Sequence, residues 1–101
     1  MTETVEKMKK NARGFVFIKT KPGKEQQVAD KLLRLEEVKE AHIMAGEWDV
    51  LALLEVRREI FYPLQRKILG FVMDKVAKLP SVVDTNTIVP GFSRVKRKTG
   101  E

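Results

Sequence analysis

The apolar positions of this chain alternate between helical and strand spacing, and each change of spacing marks an element. Val28, Leu32 and Leu35 recur at steps of four and three, which places them on one helical face. After Glu36 and Glu37 the step shortens, and Val38, then Ala41, Ile43 and Ala45, predict a strand. Phe61, Leu64, Ile68, Val72, Val76 and Leu79 form a longer helical stripe. Pro63 is expected in its first turn and Pro80 is expected to end it, because proline cannot continue a helix. Residues 82–89 return to strand character. A strand also precedes each helix: 15–20 (FVFIKT), broken by Pro22-Gly23, and 49–56 (DVLALLEV).

The two halves echo each other. Residues 28–38 (VADKLLRLEEV) return as 72–82 (VMDKVAKLPSV), with Val28/Val72, Asp30/Asp74, Lys31/Lys75, Leu35/Leu79 and Val38/Val82 identical. A solenoid needs three or more copies to bury its faces, so two copies mean a duplicated motif inside one domain. The order strand, helix, strand, taken twice, predicts an α+β fold: a ferredoxin-like βαββαβ sandwich, a four-stranded antiparallel sheet with both helices on one face. Right-handed crossovers leave few other arrangements.

Composition adds a third layer to this picture. Helices cover only one face of such a sheet, yet both alternating sets of strand residues are apolar: Val16, Ile18, Val50, Ala52 and Leu54 in one, Phe15, Phe17, Leu51 and Leu53 in the other. A sheet apolar on both faces is usually covered on both. A chain of 101 residues makes one domain with a modest core and no further layer of its own. The expected cover is a second copy, a homodimer paired sheet to sheet as in dimeric α/β barrels.

The chain has no cysteine, which excludes disulfide and thiolate chemistry. Residues 1–13 are charged rather than signal-like, and no run approaches the roughly 20 apolar residues of a membrane span, so a cytoplasmic location is expected. Abundant Lys and Glu with few Asn and Gln match thermophile usage. The net charge of +6 invites a nucleic-acid reading, but the excess sits at the ends. Residues 1–13 hold four basic and two acidic side chains, 92–101 hold four and one, and 14–91 hold twelve and eleven. Residues 14–91 are therefore read as the folded domain, with 1–13 and 92–101 as charged tails. The cluster Arg94, Lys96, Arg97 and Lys98 reads as a solubilising end with sequence-independent attraction for phosphate.

Candidate chemistry concentrates at the central hairpin, Gly46-Glu47-Trp48-Asp49, placed by chain order between the two inner strands. Its structural reading is a turn: glycine permits positive φ, and an aspartate side chain bonds nearby backbone N–H groups. Its functional reading is a site in which carboxylates hold an ammonium group and free backbone groups hold a carboxylate, the two ends of an amino acid. His42 with Glu40 two residues away makes a poor metal site, since zinc takes three or four protein ligands. No cofactor or metal is expected. Phe61, Tyr62, Phe71 and Met73 read as packing residues at helical spacing, and Gly70 inside that helix points to close packing or a kink. Lys19, Lys21 and Lys24 around the KPG turn read as a solvated edge whose charge assists an anionic ligand.

Three pieces in order, the strand running into KPG and a helix, the hairpin VKEAHIMAGEWDV, and KLPSVVDTNT, resemble the effector-binding domain of Lrp/AsnC regulators, often called the RAM domain. The resemblance covers most of residues 14–89. It implies the same ferredoxin-like fold, dimers paired by their sheets and often assembled into rings, and small effectors, typically amino acids, bound between dimers. In that family a Gly-x-x-Asp turn lines the effector site. By position it falls on Gly46 and Asp49, with Glu47 and Trp48 between, and Thr85 and Thr87 on the last strand are further candidates. Asp49 is the expected ammonium contact, Gly46 the residue exposing backbone N–H groups, and Trp48 a wall of the pocket.

The chain departs from the family in three places. About thirteen residues precede the first strand, too few for a helix-turn-helix unit, so the resemblance is to the effector domain standing alone, without direct sequence-specific DNA binding. Residues 57–67 (RREIFYPLQRK) are longer than the usual link into the second helix, and the basic C-terminal tail runs past the usual last strand. The expectation is a non-enzymatic amino-acid-sensing module, a homo-oligomer able to co-assemble with a full-length family regulator. The rival is a dimeric ferredoxin-like enzyme, of isomerase or monooxygenase type, with His42 as base and a small apolar substrate. A deep pocket within one subunit reaching His42 would mark that rival, although the residues around His42 form no acid–base constellation.

Overall fold

The structure, a computed structural model, describes residues 11–59, 62–91, 94 and 96. Phe61 and most of the two charged tails lie outside the described residues. Strand β1 (Asn11–Thr20) leads through the KPG turn to helix α1 (Glu25–Leu33), then to β2 (Val38–Ile43) and β3 (Val50–Arg57). Helix α2 (Leu64–Phe71) continues into a π-helical stretch (Val72–Val76), and β4 (Val82–Ile88) completes the expected order. All neighbours in the sheet are antiparallel, in the order β2-β3-β1-β4. β1 and β3 are thus the central strands. The Gly46 hairpin, expected between two inner strands, instead joins edge strand β2 to central strand β3, because the crossover connections bring β1 between β3 and β4.

Which apolar set faces the helices is now decided. Val16 and Ile18 of β1 and Val50, Ala52 and Leu54 of β3 are fully buried. They pack with Val28 and Leu32 of α1, Ile68 of α2, and Val72 and Val76. Gly14 extends this face. A Cβ there would stand 3.0 Å from Cδ1 and 3.1 Å from Cγ2 of Ile68, so the missing side chain is what lets α2 sit this close to β1. The alternate set, Phe15, Phe17, Leu51 and Leu53, is only half-buried on the open face. Ile88, the β4 partner of Phe15, is 46% exposed beside them.

The sequence repeat is a repeat of the helix exit. Leu35 N–H donates to Leu32 O (2.9 Å) and Val38 N–H to Leu35 O (3.1 Å), and the equivalent bonds Leu79 to Val76 (3.1 Å) and Val82 to Leu79 (3.3 Å) recur in the second copy. The first copy ends its helix at Leu33 with Glu36 where the second has Pro80. The second helix ends at Val76, four residues before that proline. Pro80 therefore does not terminate it; the shared exit turn does. Ser81, which follows, takes φ of +73°, a strained value for a non-glycine residue. Pro63 is the N-cap of α2 with ψ of 131°, just ahead of the first turn where it was expected. The uneven step from Val38 to Ala41 has a local cause: a bulge between Val38 and Glu40 shifts the register of β2 on β3.

Candidate functional site

The hairpin is held from β1. Met44 N–H donates to Asp49 O (2.8 Å), closing the turn. Gly46 takes φ of +141°, which side-chain-bearing residues rarely adopt, while no atom lies within 4 Å of where its Cβ would stand. Glycine is required there by the backbone alone, and the space around the turn is open. Beyond Ile18↔Val50, the last β1–β3 pair, Asp49 N–H donates to Ile18 O (3.0 Å) and Thr20 N–H donates to Asp49 Oδ2 (2.9 Å). The Lys19 ammonium donates to Glu47 O (2.8 Å). Asp49 is a turn residue as expected, but the backbone N–H it accepts from is 29 residues away, on another strand.

The expected site residues fall into two groups. Gly46, Glu47, Trp48 and Asp49 lie together at one end of the sheet, with Glu47 exposed and Trp48 and Asp49 half-buried. The Trp48 ring lies 6.3 Å from Phe17 at 49°, which turns the indole toward the open face. Thr85 and Thr87 pair with Ile18 and Val16, and cross-strand partners share a face, so both threonines belong to the helix side. Of the two, Thr85 is on the rung nearer the hairpin, with the Lys19–Asp84 and Thr20–Val82 rungs closer still, and Thr87 is one core-side rung farther away. The β4 residues that share the face of Phe17 and Trp48 are Asp84, opposite Lys19, Asn86, opposite Phe17, and Ile88, opposite Phe15. Lys19, which the sequence did not separate from Lys21 and Lys24 on a charged edge able to assist an anionic ligand, is the one the fold brings to the hairpin. Its signal was topological: in a βαββαβ sheet the end of β1 runs beside the start of β3, where the hairpin begins.

His42 Nε2 stands 2.8 Å from Glu40 Oε1, both side chains more than half exposed on the open face opposite Leu51 and Leu53. Among the described residues, no group of three or more His, Cys, Asp or Glu is placed to hold a metal ion. A cavity of about 300 Å³ opens at the far end of the sheet, over Val56 and Phe71, with Arg57, Lys39 and Lys67 at its rim. It reaches neither His42 nor the hairpin. Lys67 is already engaged there, donating to Arg57 O (2.8 Å) and Glu59 Oε1 (2.7 Å). No described helix is long and apolar enough to cross a membrane.

The sequence model of the Lrp/AsnC ligand binding domain matches residues 13–100. The chain belongs to this Lrp/AsnC family. The domain is 33% identical over 95 residues to an uncharacterised HTH-type transcriptional regulator of Pyrococcus abyssi, a match covering 91% of this chain and 59% of the regulator. It therefore spans about three-fifths of that relative's length. The crystal structure of a hypothetical protein from Pyrococcus horikoshii superposes with a TM-score of 0.64 at 30% identity, over 81% of this chain and 92% of that one. A transcriptional regulator from Neisseria meningitidis, solved as its L-Met complex, matches with a TM-score of 0.60 over 98% of this chain and 59% of its own. At 15% identity that likeness is one of fold. Curated relatives that the Lrp/AsnC domain matches are transcription regulators, and the domain is of the ligand-binding type.

Proposed function

We propose that this domain binds an amino acid at the Gly46–Asp49 hairpin and reports it through assembly with further copies, and so modulates transcription. The observation that carries this reading is the hairpin itself: an open turn with a glycine of required conformation, an exposed carboxylate at Glu47, an ammonium at Lys19 and an indole beside them. Opposite charges brought together from β1 and the turn complement a zwitterion, and Trp48 with Phe17 offers an apolar wall for its side chain. The L-Met complex of the Neisseria regulator supports the ligand class.

The assembly half of the reading rests on the open face. Phe15, Phe17, Leu51 and Leu53 form an apolar surface that a second copy would cover sheet to sheet. Stable interfaces of standard size bury about 800 Å² per partner. Ligand contacts available in only one assembly shift the oligomeric equilibrium by the difference in affinity between assemblies. A full-length family regulator that co-assembles with this domain would carry the signal to DNA.

The test is a titration with each of the twenty L-amino acids, read by melting temperature, light scattering and the fluorescence of Trp48, the one tryptophan of the chain. A ligand at 100 times its dissociation constant stabilises by about 2.7 kcal/mol, a shift of several degrees. One or a few amino acids should raise the melting temperature, change the mass and perturb Trp48. Indifference to all twenty at millimolar concentration refutes the sensor.

A further inference from the structure

From the hairpin geometry we infer that Lys19 is the residue that recognises the ligand's carboxylate, with Glu47 on its ammonium, while Asp49 positions the turn without touching the ligand. This rests on the reading of the hairpin as an amino-acid site and deepens it.

The roles follow from which groups the fold has already engaged. Asp49 Oδ2 accepts the N–H of Thr20, a residue only 6% exposed, so this carboxylate stands in for the backbone acceptor that β1 lacks beyond its last pair with β3. A ligand ammonium drawing the carboxylate away would leave a buried N–H without a partner, a costly exchange, and the half-buried Asp49 offers its second oxygen less openly than Glu47 offers either of its own. Among the described residues no hydrogen bond or ion pair engages the Glu47 carboxylate, which is exposed on the turn. Lys19 sits between two acidic residues, Glu47 on the hairpin and Asp84 directly across on β4. Its ammonium is held by the carbonyl of Glu47, and Asp84 Oδ1 accepts the N–H of Thr85. An ammonium carries three donors, and one carbonyl takes one of them. Lys19 thus brings a fixed positive charge with remaining donors to within one turn of the Glu47 carboxylate. A ligand carboxylate on Lys19 forms a charge-assisted bond, stronger than the neutral carbonyl contact already there. The site so built selects ligands with a free α-carboxylate over their amides.

The test compares three variants of the full chain with the wild type. The probes are the twenty L-amino acids, and then the primary carboxamide of each one that binds the wild type. Lys19→Met should lower affinity for the amino acid about tenfold or more and leave the carboxamide's affinity unchanged, so that the two become equal; Lys19→Arg should restore most of the difference. Glu47→Gln should weaken both ligands, because both keep the ammonium. Asp49→Asn retains a side-chain oxygen for Thr20 N–H and should leave both affinities within about twofold. If the wild type binds no amino acid, the hairpin reading itself fails and this inference falls with it. If it binds, and Lys19→Met still prefers the acid to the amide by the wild-type ratio, Lys19 is not the carboxylate contact. A tenfold loss in Asp49→Asn at unchanged melting temperature returns the ammonium to Asp49.

Discussion

Gly14 and Ile68 show how one side chain's absence sets the spacing of two layers. The alanine Cβ would stand 3.0 and 3.1 Å from two carbons of Ile68, which is fully buried and, being β-branched, has little rotamer freedom to yield. Gly14→Ala gains from a less flexible unfolded chain, but the crowding outweighs that gain. We predict a net loss of about 1–2 kcal/mol in urea unfolding. Adding Ile68→Val removes Cδ1, the nearer carbon, and should recover part of the loss relative to Ile68→Val alone. Additive losses would mean that α2 moves as a body instead of straining at this contact. The same reasoning separates Gly14 from Gly46, where there is room for a Cβ and the φ of +141° is the obstacle.

At the scale of elements, the second helix is where pattern and structure part. Steps of three and four from Leu64 to Leu79 read as one α-helix, but the bond from Ala77 N–H to Val72 O (2.7 Å) spans five residues and opens a π-helical stretch over Val72–Val76. Apolar spacing cannot see this, because Val72 and Val76 are buried whichever carbonyl each N–H uses. The bulge in β2, by contrast, leaves a trace in the uneven step from Val38 to Ala41, although that step alone read only as a strand. The fold was legible because only one common fold satisfies two βαβ units, but the hairpin's place in the sheet was not, since it joins an edge strand to a central one; nor was its tie to β1, because Lys19, Thr20 and Asp49 meet only after β1 has been placed beside β3. Gly70 was expected to mark close packing or a kink. An added Cβ meets nothing within 4 Å, so packing within the subunit does not require it. Gly70→Ala should therefore raise stability by about 0.5–1 kcal/mol, the ordinary helix-interior difference, in thermal or urea unfolding. A loss would show that another copy approaches the helix at Gly70.

For the whole molecule, the two faces of the sheet have different fates, and the difference can be tested by charge. The even-numbered residues of β1 and β3 are sealed under the helices, whereas Phe15, Phe17, Leu51 and Leu53 remain half-buried in the isolated subunit. Leu53 lies across from Phe15 on one side and Glu40 on the other, well inside this face. In the lone subunit, Leu53→Lys can direct its ammonium to water and should change stability little, since long charged side chains lay their stems along apolar surface. In a sheet-to-sheet dimer the same ammonium would be stripped of water, and pairing with the Glu40 carboxylate across from it would offset only part of a cost of several kcal/mol. The expected result is a wild-type dimer or larger assembly in light scattering, and a Leu53→Lys variant of monomeric mass with an unchanged far-ultraviolet circular dichroism spectrum. The variant also bears on the sensor, because Trp48 reaches the open face through Phe17. If the hairpin answers to assembly, the monomeric variant should bind amino acids more weakly than the wild type although every hairpin residue is intact. Equal affinity in monomer and dimer would confine the ligand site to one subunit and break the proposed link between binding and assembly.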